Sequence, residues 1–182
     1  MKITPAKEKY TKVAVAEMQK KFSYKSVMAV PRIKKVVVNV GIGKIVKEND
    51  KIEEIVSALT AITGQKPVKT KAKKAISGFK IREGMEIGVK VTLRGARMWQ
   101  FIDRVVSATL PRTRDFQGIN RKAVDTTGNL NMGLKEHMIF PEISPEKVRH
   151  TFGMQITVST NATSQAEGLE LFKLLGFPLK SE

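Results

Sequence analysis

Alternating apolar and polar residues mark several stretches of this chain as β-strands. Valine, isoleucine, leucine and methionine occupy one parity, while lysine, asparagine, threonine and glutamine fill most of the other. A period of two places one parity in a core and the other on a polar face, as in a half-buried sheet. The clear stretches are 32–43, 87–94 and 154–161, and shorter or weaker ones are 66–72 and 129–140.

Between these stretches, apolar residues recur at the helical period. The best-defined stripe runs from Ile52 to Ile62. Asp50 with Glu53 has the spacing of a capping pair, and Gly64 is a residue type that commonly ends helices. We therefore expect this helix to begin at Asp50 and to end at Gly64.

Three further helices are predicted by the same reasoning. The first covers about residues 5–22, and the second covers 98–110, where we expect Pro111 to stop it. The third begins at Ser164 and Glu167, which have the spacing of a capping box.

The resulting order of elements is α-β-α-β-β-α-β-β-α, which predicts an α+β fold. Helices must cover the valine face of the sheet, because an apolar sheet face needs a packing partner. The other face then stays open. No internal repeat or linker interrupts the pattern, so we expect one domain over residues 1–182.

The open face is predicted to be rich in cations and amides. The clear strands place no aromatic residue on it, whereas proteins that read single-stranded RNA on a sheet stack bases on exposed aromatics. Polar groups without rings suit the backbone and 2′-hydroxyls of a folded RNA. The residues assigned to this face are Lys35, Asn39, Lys69, Lys71, Lys90, Thr92, Arg94 and Gln155.

Charge supports a polyanionic partner. The chain has 182 residues, 41% of them apolar, and a net charge of +16. Residues 1–100 carry +15 of that charge and residues 101–182 carry +1. A positive charge of this size destabilises a fold by self-repulsion, and proteins that carry it usually bind nucleic acid. An acidic membrane surface is the second possible partner. Cysteine is absent, which excludes thiolate chemistry and suits the cytoplasm.

Enzymatic motifs are weak. Gly41 to Lys44 lacks the spacing of a phosphate-binding loop, and His137 and His150 have no cysteine beside them for a metal site. Trp99 fits a partly buried core position. We expect no catalytic residue, metal, cofactor or small-molecule substrate.

A longer motif resembles a known family. The stretches LTAITGQKPVKTKAKKA (59–75), FKIREG (79–84), GVKVTLRG (88–95), LPRTRDFQG (110–118) and FPEI (140–143) are similar to those of the bacterial large-subunit ribosomal protein five family, uL5. The resemblance covers essentially the whole chain. It implies a single antiparallel sheet with helices on one face and an open basic and polar face.

The resemblance also implies partners. The family binds 5S rRNA and helps attach it in the central protuberance of the large subunit. Its other implied partners are large-subunit rRNA, neighbouring large-subunit proteins, peptidyl-site tRNA and a small-subunit head protein across an intersubunit bridge. No membrane partner is expected. The family's RNA-contacting Asn, Gln and Thr match Asn39, Gln65 and Thr92.

Three sets of site residues follow from the open face and the resemblance together. The predicted rRNA-binding residues are Arg32, Lys35, Asn39, Gln65, Lys66, Lys69, Lys71, Lys90, Thr92 and Arg94. The predicted tRNA-contacting loop, an exposed tip at about 73–80 with a sharp bend at Gly78, supplies Lys73, Lys74, Ser77, Gly78, Phe79, Lys80 and Arg82. The predicted bridge residues, in loops 111–118 and 133–147, are Arg112, Arg114, Glu142 and Glu146.

Two other classes of function remain open from the residues alone. An enzyme acting on RNA would show turnover by the purified protein. A membrane-surface protein would co-sediment with anionic vesicles in the presence of competitor RNA, although no concentrated basic amphipathic helix favours it.

Overall fold

The computed structural model describes residues 4–46, 48–114 and 116–180. Five strands form one sheet in the order β2-β3-β1-β5-β4. Strands β2 and β3 pair antiparallel, and the single five-stranded antiparallel sheet with its helices confirms the predicted α+β fold class. The strands are β1 (Ile33–Gly41), β2 (Val68–Lys71), β3 (Glu86–Leu93), β4 (Leu130–Leu134) and β5 (Met154–Thr160).

Four longer helical segments alternate with these strands, and their order confirms the prediction. Helices α1 and α3 each contain a π-helical turn. The segments are α1 (Ala6–Lys9, Tyr10–Ala14 and Val15–Phe22), α2 (Asn49–Thr63), α3 (Gly95–Arg104, Val105–Thr109 and Leu110–Arg112) and α4 (Gln165–Leu175).

The chain forms two compact units. Unit 1 contains Met1–Val36, Leu93–Met132 and Thr157–Glu182, and unit 2 contains Val37–Thr92 and Gly133–Ile156. The expectation of one domain over the whole chain stays a prediction.

Unit 1 is built from helices α1, α3 and α4. Its largest buried side chains include Phe101 and Phe172. The start of α1 is fixed to α3, because the Ala6 N–H donates to Asp103 Oδ1 at 2.6 Å. Trp99 is half-buried, with its ring 5.7 Å from that of Tyr10, which confirms its predicted core position.

The predicted capping box of α4 is present. The Glu167 N–H donates to Ser164 Oγ at 3.3 Å, and the Glu167 carboxylate accepts from the Thr163 N–H at 2.8 Å. The predicted stop at Pro111 is wrong, because Pro111 lies inside the last turn of α3. A π-helical turn precedes it, so the helix continues through Arg112.

Unit 2 holds α2 and the middle of the sheet. Ile52, Ile55, Leu59 and Ile62 of α2 are buried, as are the valines of one parity in β1 and β3. The helix ends at Gly64, whose φ of +65° suits glycine, as predicted.

The predicted start of α2 is wrong. The helix begins at Asn49, and Asp50 lies within the first turn. The residue at the N-cap is Glu48, and it makes no side-chain capping hydrogen bond. Asp50 therefore favours this end through the helix dipole and not as a cap.

Candidate nucleic-acid interface

The open face of unit 2 begins with strands β1 and β3. In β1, Asn39 is half-buried between the fully buried Val38 and Val40. In β3, Lys90 is exposed and Thr92 is half-buried, while the valines beside them are buried. The alternation therefore confirms the predicted orientation of Asn39, Lys90 and Thr92.

The register of β2 corrects part of the predicted face. Val68 pairs with Lys90, and Lys69 pairs with Val89. Residues directly opposite each other in an antiparallel pair share a face, so Val68 lies on the open face and Lys69 lies on the other. The register shifts between Thr70 and Lys71, so the pairing does not fix the side on which Lys71 lies. The prediction that Lys69 projects from the open face is wrong, and the placement of Lys71 stays a prediction.

The physical reason for this error is that β2 is an edge strand. Val68 is 62% exposed, so the apolar parity of this short strand does not point into a core. Lys69 instead forms an ion pair with Glu86 at 2.9 Å, and both side chains are partly exposed. Such a surface pair contributes little stability. An rRNA-binding role for Lys69 and Lys71 stays a prediction.

Thr70, which the sequence did not single out, lies on the open face beside Asn39. A Cβ placed on Gly88 would be 2.6 Å from Thr70 Oγ1 and 3.7 Å from Asn39 Oδ1. The hydroxyl and the amide therefore converge over a position that has no side chain. A glycine inside a strand often marks such a close approach. Gly88 was therefore the sequence feature that could have indicated the position of Thr70.

Gln65 is held at the end of α2 by a buried threonine. Thr63 Oγ1 donates to the Leu59 carbonyl at 2.6 Å and accepts from the Gln65 N–H at 3.3 Å. The Gln65 side chain is half-buried and Lys66 is exposed, three and two residues before β2. These hydrogen bonds fix the backbone from which both side chains project.

Three of the predicted rRNA-binding residues belong to unit 1. The Arg32 side chain is exposed. The Arg32 backbone N–H donates to Asn161 Oδ1 at 2.6 Å, which fixes the start of β1. Lys35 is half-buried. Arg94 is exposed and occupies the N-cap of α3. The rRNA roles of all three stay predictions.

The predicted tip is exposed and folded. Residues 73–80 are all exposed, as predicted, whereas Ala72 at its base is buried. Backbone hydrogen bonds join Ile76 and Ile81 in both directions, at 2.9 Å and 3.2 Å. A short helical turn, Ser77–Phe79, lies between them. The tip is therefore a small hairpin with its own hydrogen bonds.

The bend of the tip lies at Lys80 and not at Gly78. Lys80 has a φ of +54°, in the left-handed region, whereas Gly78 does not adopt a positive φ. A lysine there carries some backbone strain, which the surrounding hydrogen bonds must offset. Phe79, immediately before it, is 73% exposed.

The predicted bridge residues occur in both units. Arg112 and Arg114 of unit 1 are exposed. In unit 2, Glu146 is exposed and Glu142 is half-buried. Asp115, which belongs to the predicted loop 111–118, lies outside the described residues. The assignment of these residues to a bridge stays a prediction.

The segment before β5 is fastened to α2 by Glu54. Its carboxylate accepts from the Arg149 N–H at 2.9 Å and from the His150 N–H at 3.3 Å. Burial by itself would raise the pKa of Glu54, but these donors and the nearby His150 and His137 lower it. The carboxylate is therefore charged at neutral pH, and its Oε1 accepts both backbone hydrogen bonds.

His137, for which the sequence offered no role, is a structural residue. It is buried, its ring stacks on Phe152 at 3.9 Å, and its Nδ1 accepts from the Phe152 N–H at 3.4 Å. Burial lowers the pKa of His137 against the opposing influence of Glu54 and the Phe152 N–H. The imidazole is therefore neutral at pH 7 and acts as a hydrogen-bond acceptor.

No group of three or more possible metal-ligating side chains occurs among the described residues. Among the same residues, no helix has the length and apolar character needed to cross a membrane.

Comparison with known proteins identifies the family. Residues 26–82 match the family described as Ribosomal protein L5, and residues 86–179 match the ribosomal L5P family C-terminus. Large ribosomal subunit protein uL5 of Colwellia psychrerythraea is 49% identical over 95% of this chain and 96% of its own length. The uL5 proteins of Halothermothrix orenii and Pseudothermotoga lettingae are also 49% identical, over 94% and 97% of this chain and 96% of their own lengths. With two family matches and relatives of this similarity along nearly its full length, the chain belongs to the uL5 family of large-ribosomal-subunit proteins.

Proposed function

We propose that the open face of unit 2 binds 5S rRNA and helps to attach it in the central protuberance of the large subunit. Members of this family are structural proteins of the cytoplasmic ribosome, not enzymes, and have rRNA and ribosomal proteins as partners. The single observation that carries the proposal is the convergence of Asn39, Thr70, Lys90 and Thr92 on one polar face above a buried valine layer.

The chemistry of this face suits the outside of a folded RNA. An amide and two hydroxyls can donate to or accept from ribose 2′-hydroxyls and phosphate oxygens, and the lysine neutralises a phosphate. In the described strands, no aromatic side chain stands on this part of the sheet for bases to stack on. Strands are also rigid supports, so the spacing of these groups is set before RNA arrives.

Binding of 5S rRNA to single-residue variants tests the proposal. We expect Asn39→Ala and Thr92→Ala each to weaken binding by about 1 kcal/mol, or roughly fivefold in Kd. Gln100→Ala is a matched control, because that amide is exposed on α3 of unit 1. Unchanged 5S rRNA affinity in both variants, with wild-type melting, would contradict the proposal.

Salt dependence tests its electrostatic part. For about five phosphate contacts, the slope of log K against log salt should be roughly −4. A nearly flat dependence would mean that the cations of this region do not contact phosphates.

We further propose that the tip contacts peptidyl-site tRNA. Its three lysines, here named the tip lysines (Lys73, Lys74 and Lys80), project from a hairpin joined to the sheet by β2 and β3. Backbone charge contacts need no base sequence, which suits a partner that must bind and leave. Their exposure and their place within the family motif support this role.

The nearly neutral second half of the chain supports a protein contact. We propose that the predicted bridge residues face a small-subunit head protein, since a balanced charge suits a protein surface better than a polyanion. Three exposed members, here named the bridge charges, are suitable for substitution: Arg112, Arg114 and Glu146.

A further inference from the structure

A cleft of about 1130 Å³ lies in unit 2, where it is lined by the turn after β1, the tip and the segment before β5. Its volume slightly exceeds the range of roughly 300–1,000 Å³ that is typical of small-ligand sites. The functions proposed above use the tip but not the rest of this cleft. Most of its accessible lining is apolar, with Phe79 contributed by the tip and Ile81 and Met85 by the residues between the tip and β3.

Two glycines in the lining are not explained by the fold of the chain. A Cβ at Gly41 or at Gly43 would meet no atom within 4 Å, and neither glycine has a positive φ. Neither space nor backbone conformation within the protein therefore requires glycine there. Glycine at such positions leaves the backbone bare, so another molecule can approach it closely.

The most exposed aromatic ring of the cleft is that of Phe79, at 73% exposure. Leaving a ring in water forgoes the hydrophobic free energy of burying it. Aromatic rings exposed beside cations are the usual stacking partners of unpaired bases. The open sheet face offers no such ring, so the cleft provides a type of contact that this face lacks.

The charges of the lining favour an anion. Lys44, Lys80 and Arg149 are exposed, and none of their side chains takes part in a salt bridge within the part of the chain that the structure describes. The two acids of the lining are outnumbered by its four cations, so the net charge of the lining is positive. Glu48 is paired with Lys51, and Glu54 accepts from two backbone N–H groups.

We propose that this cleft binds a short single-stranded segment of RNA, with one unstacked base against Phe79 and flanking phosphates near Lys44 and Lys80. The glycines at 41 and 43 give the nucleotide access to the backbone. A duplex presents no unstacked base that could stack on the ring of Phe79. The ring, the bare backbone and the free cations together therefore favour a single strand. The inference does not rest on the 5S rRNA contact proposed for the open face, although it uses two residues of the tip.

Fluorescence anisotropy with a labelled hexauridylate tests the site on the full-length protein. We expect Phe79→Ala to weaken binding roughly tenfold and Phe79→Trp to restore it, because stacking needs only a ring. Gly43→Leu should also weaken binding without lowering the melting temperature, since its side chain would occupy open space. Lys44→Gln should weaken binding and reduce its salt dependence.

Matched controls lie outside the cleft. Met28→Ala removes an apolar side chain that is 81% exposed, and Lys122→Gln removes an exposed cation, both in unit 1. Neither should alter hexauridylate binding. All cleft variants except those of lysine should retain 5S rRNA binding, whereas Asn39→Ala should lose 5S rRNA affinity and keep hexauridylate affinity. These experiments can therefore contradict the cleft proposal without contradicting the 5S rRNA proposal, and the reverse.

Several outcomes would overturn the inference. One is hexauridylate affinity that is equal in wild type, Phe79→Ala and Gly43→Leu. Another is that a short RNA duplex competes for the site as strongly as unlabelled hexauridylate does. The site would then recognise only the charge of RNA. Displacement of the probe by hexaglutamate at equal concentration would point to an acidic protein segment as the occupant.

Discussion

The packing of Gly88 against Thr70 offers a direct test of the register that defines the open face. We expect Gly88→Ala to destabilise the protein, because the new Cβ would lie 2.6 Å from Thr70 Oγ1. The next nearest atom is the Val40 carbonyl oxygen at 3.5 Å, which is ordinary contact. The clash therefore depends on one side-chain atom, which a second substitution can remove.

The expected magnitudes follow from this geometry. Overpacking of a fitted site costs about 1–3 kcal/mol. Replacing glycine by alanine at an ordinary φ gains about 0.4–1 kcal/mol by restricting the unfolded chain. Gly88→Ala alone should then lower the free energy of unfolding by about 1–2 kcal/mol. In a Thr70→Ala background, where Oγ1 is absent, the same change should be neutral or slightly stabilising.

Denaturant unfolding of the wild type, both single variants and the double variant measures this coupling. We expect a coupling free energy of about 1–3 kcal/mol, within the range that contacting residues show. For a chain of this size, 1 kcal/mol moves the melting temperature by about 2–4 °C, so a thermal scan can follow it. Equal destabilisation by Gly88→Ala in both backgrounds would refute the register. It would place Thr70 on the helix side and return Lys69 to the open face.

Three further predictions concern pH, tRNA and the bridge. Because burial lowers the pKa of His137 from 6.5, the neutral imidazole supports folding above pH 6.5, and stability should fall as the pH drops from there towards the lowered pKa. His137→Asn, which keeps an acceptor without titrating, should flatten unfolding free energy against pH in that window. Replacing all three tip lysines by glutamine should speed tRNA dissociation from the peptidyl site of reconstituted ribosomes while leaving 5S rRNA binding largely intact. Reversing the bridge charges should alter subunit association, measured by sedimentation, and leave 5S rRNA affinity near that of the wild type.

Each of these predictions has a control and a contrary outcome. Glu54 loses its charge only at lower pH, because its own pKa is lowered from 4.5, so its titration does not cause the fall near pH 6. Glu54→Gln removes a charge that raises the pKa of His137, so it should extend the fall in stability to lower pH. A slope that persists in His137→Asn would assign the titration to another group. For the tip lysines, the control is substitution by glutamine of three exposed lysines of unit 1, Lys25, Lys122 and Lys173. An unchanged rate of tRNA dissociation in the tip variant would show that the tip lysines do not contact peptidyl-site tRNA. Lost 5S rRNA binding with normal subunit association would refute the proposed bridge.

The order of the elements and the orientation of the central strands could be predicted from periodicity. In β1, β3 and β5 one face is buried, so burial selects apolar residues at every second position. Asn39 and Thr92 were placed correctly for this reason. The Ser164 capping box is likewise local, because the groups that it joins lie within four residues of each other.

The edge strand and the ends of two helices could not be predicted in this way. Val68 is exposed, so the apolar positions of β2 do not indicate a buried face. The orientation of β2 is set by its hydrogen bonding to β3. Asp50 had the spacing of a cap, yet the helix begins one residue earlier. Pro111 fitted a helix stop, but a preceding π-helical turn accommodates it within α3.

Contacts between residues distant in sequence were decided by the tertiary structure alone. Glu54 accepts a hydrogen bond from the Arg149 N–H, 95 positions away in the sequence. His137 stacks on Phe152, a contact that no local sequence pattern predicts. The cleft beside the tip likewise needs three separated segments to be brought together. Local periodicity therefore determined which residues form each element and which side of a buried strand is apolar. Strand register and the side-chain contacts of Glu54 and His137 depended on long-range packing, because their free energies arise only once distant parts of the chain have met.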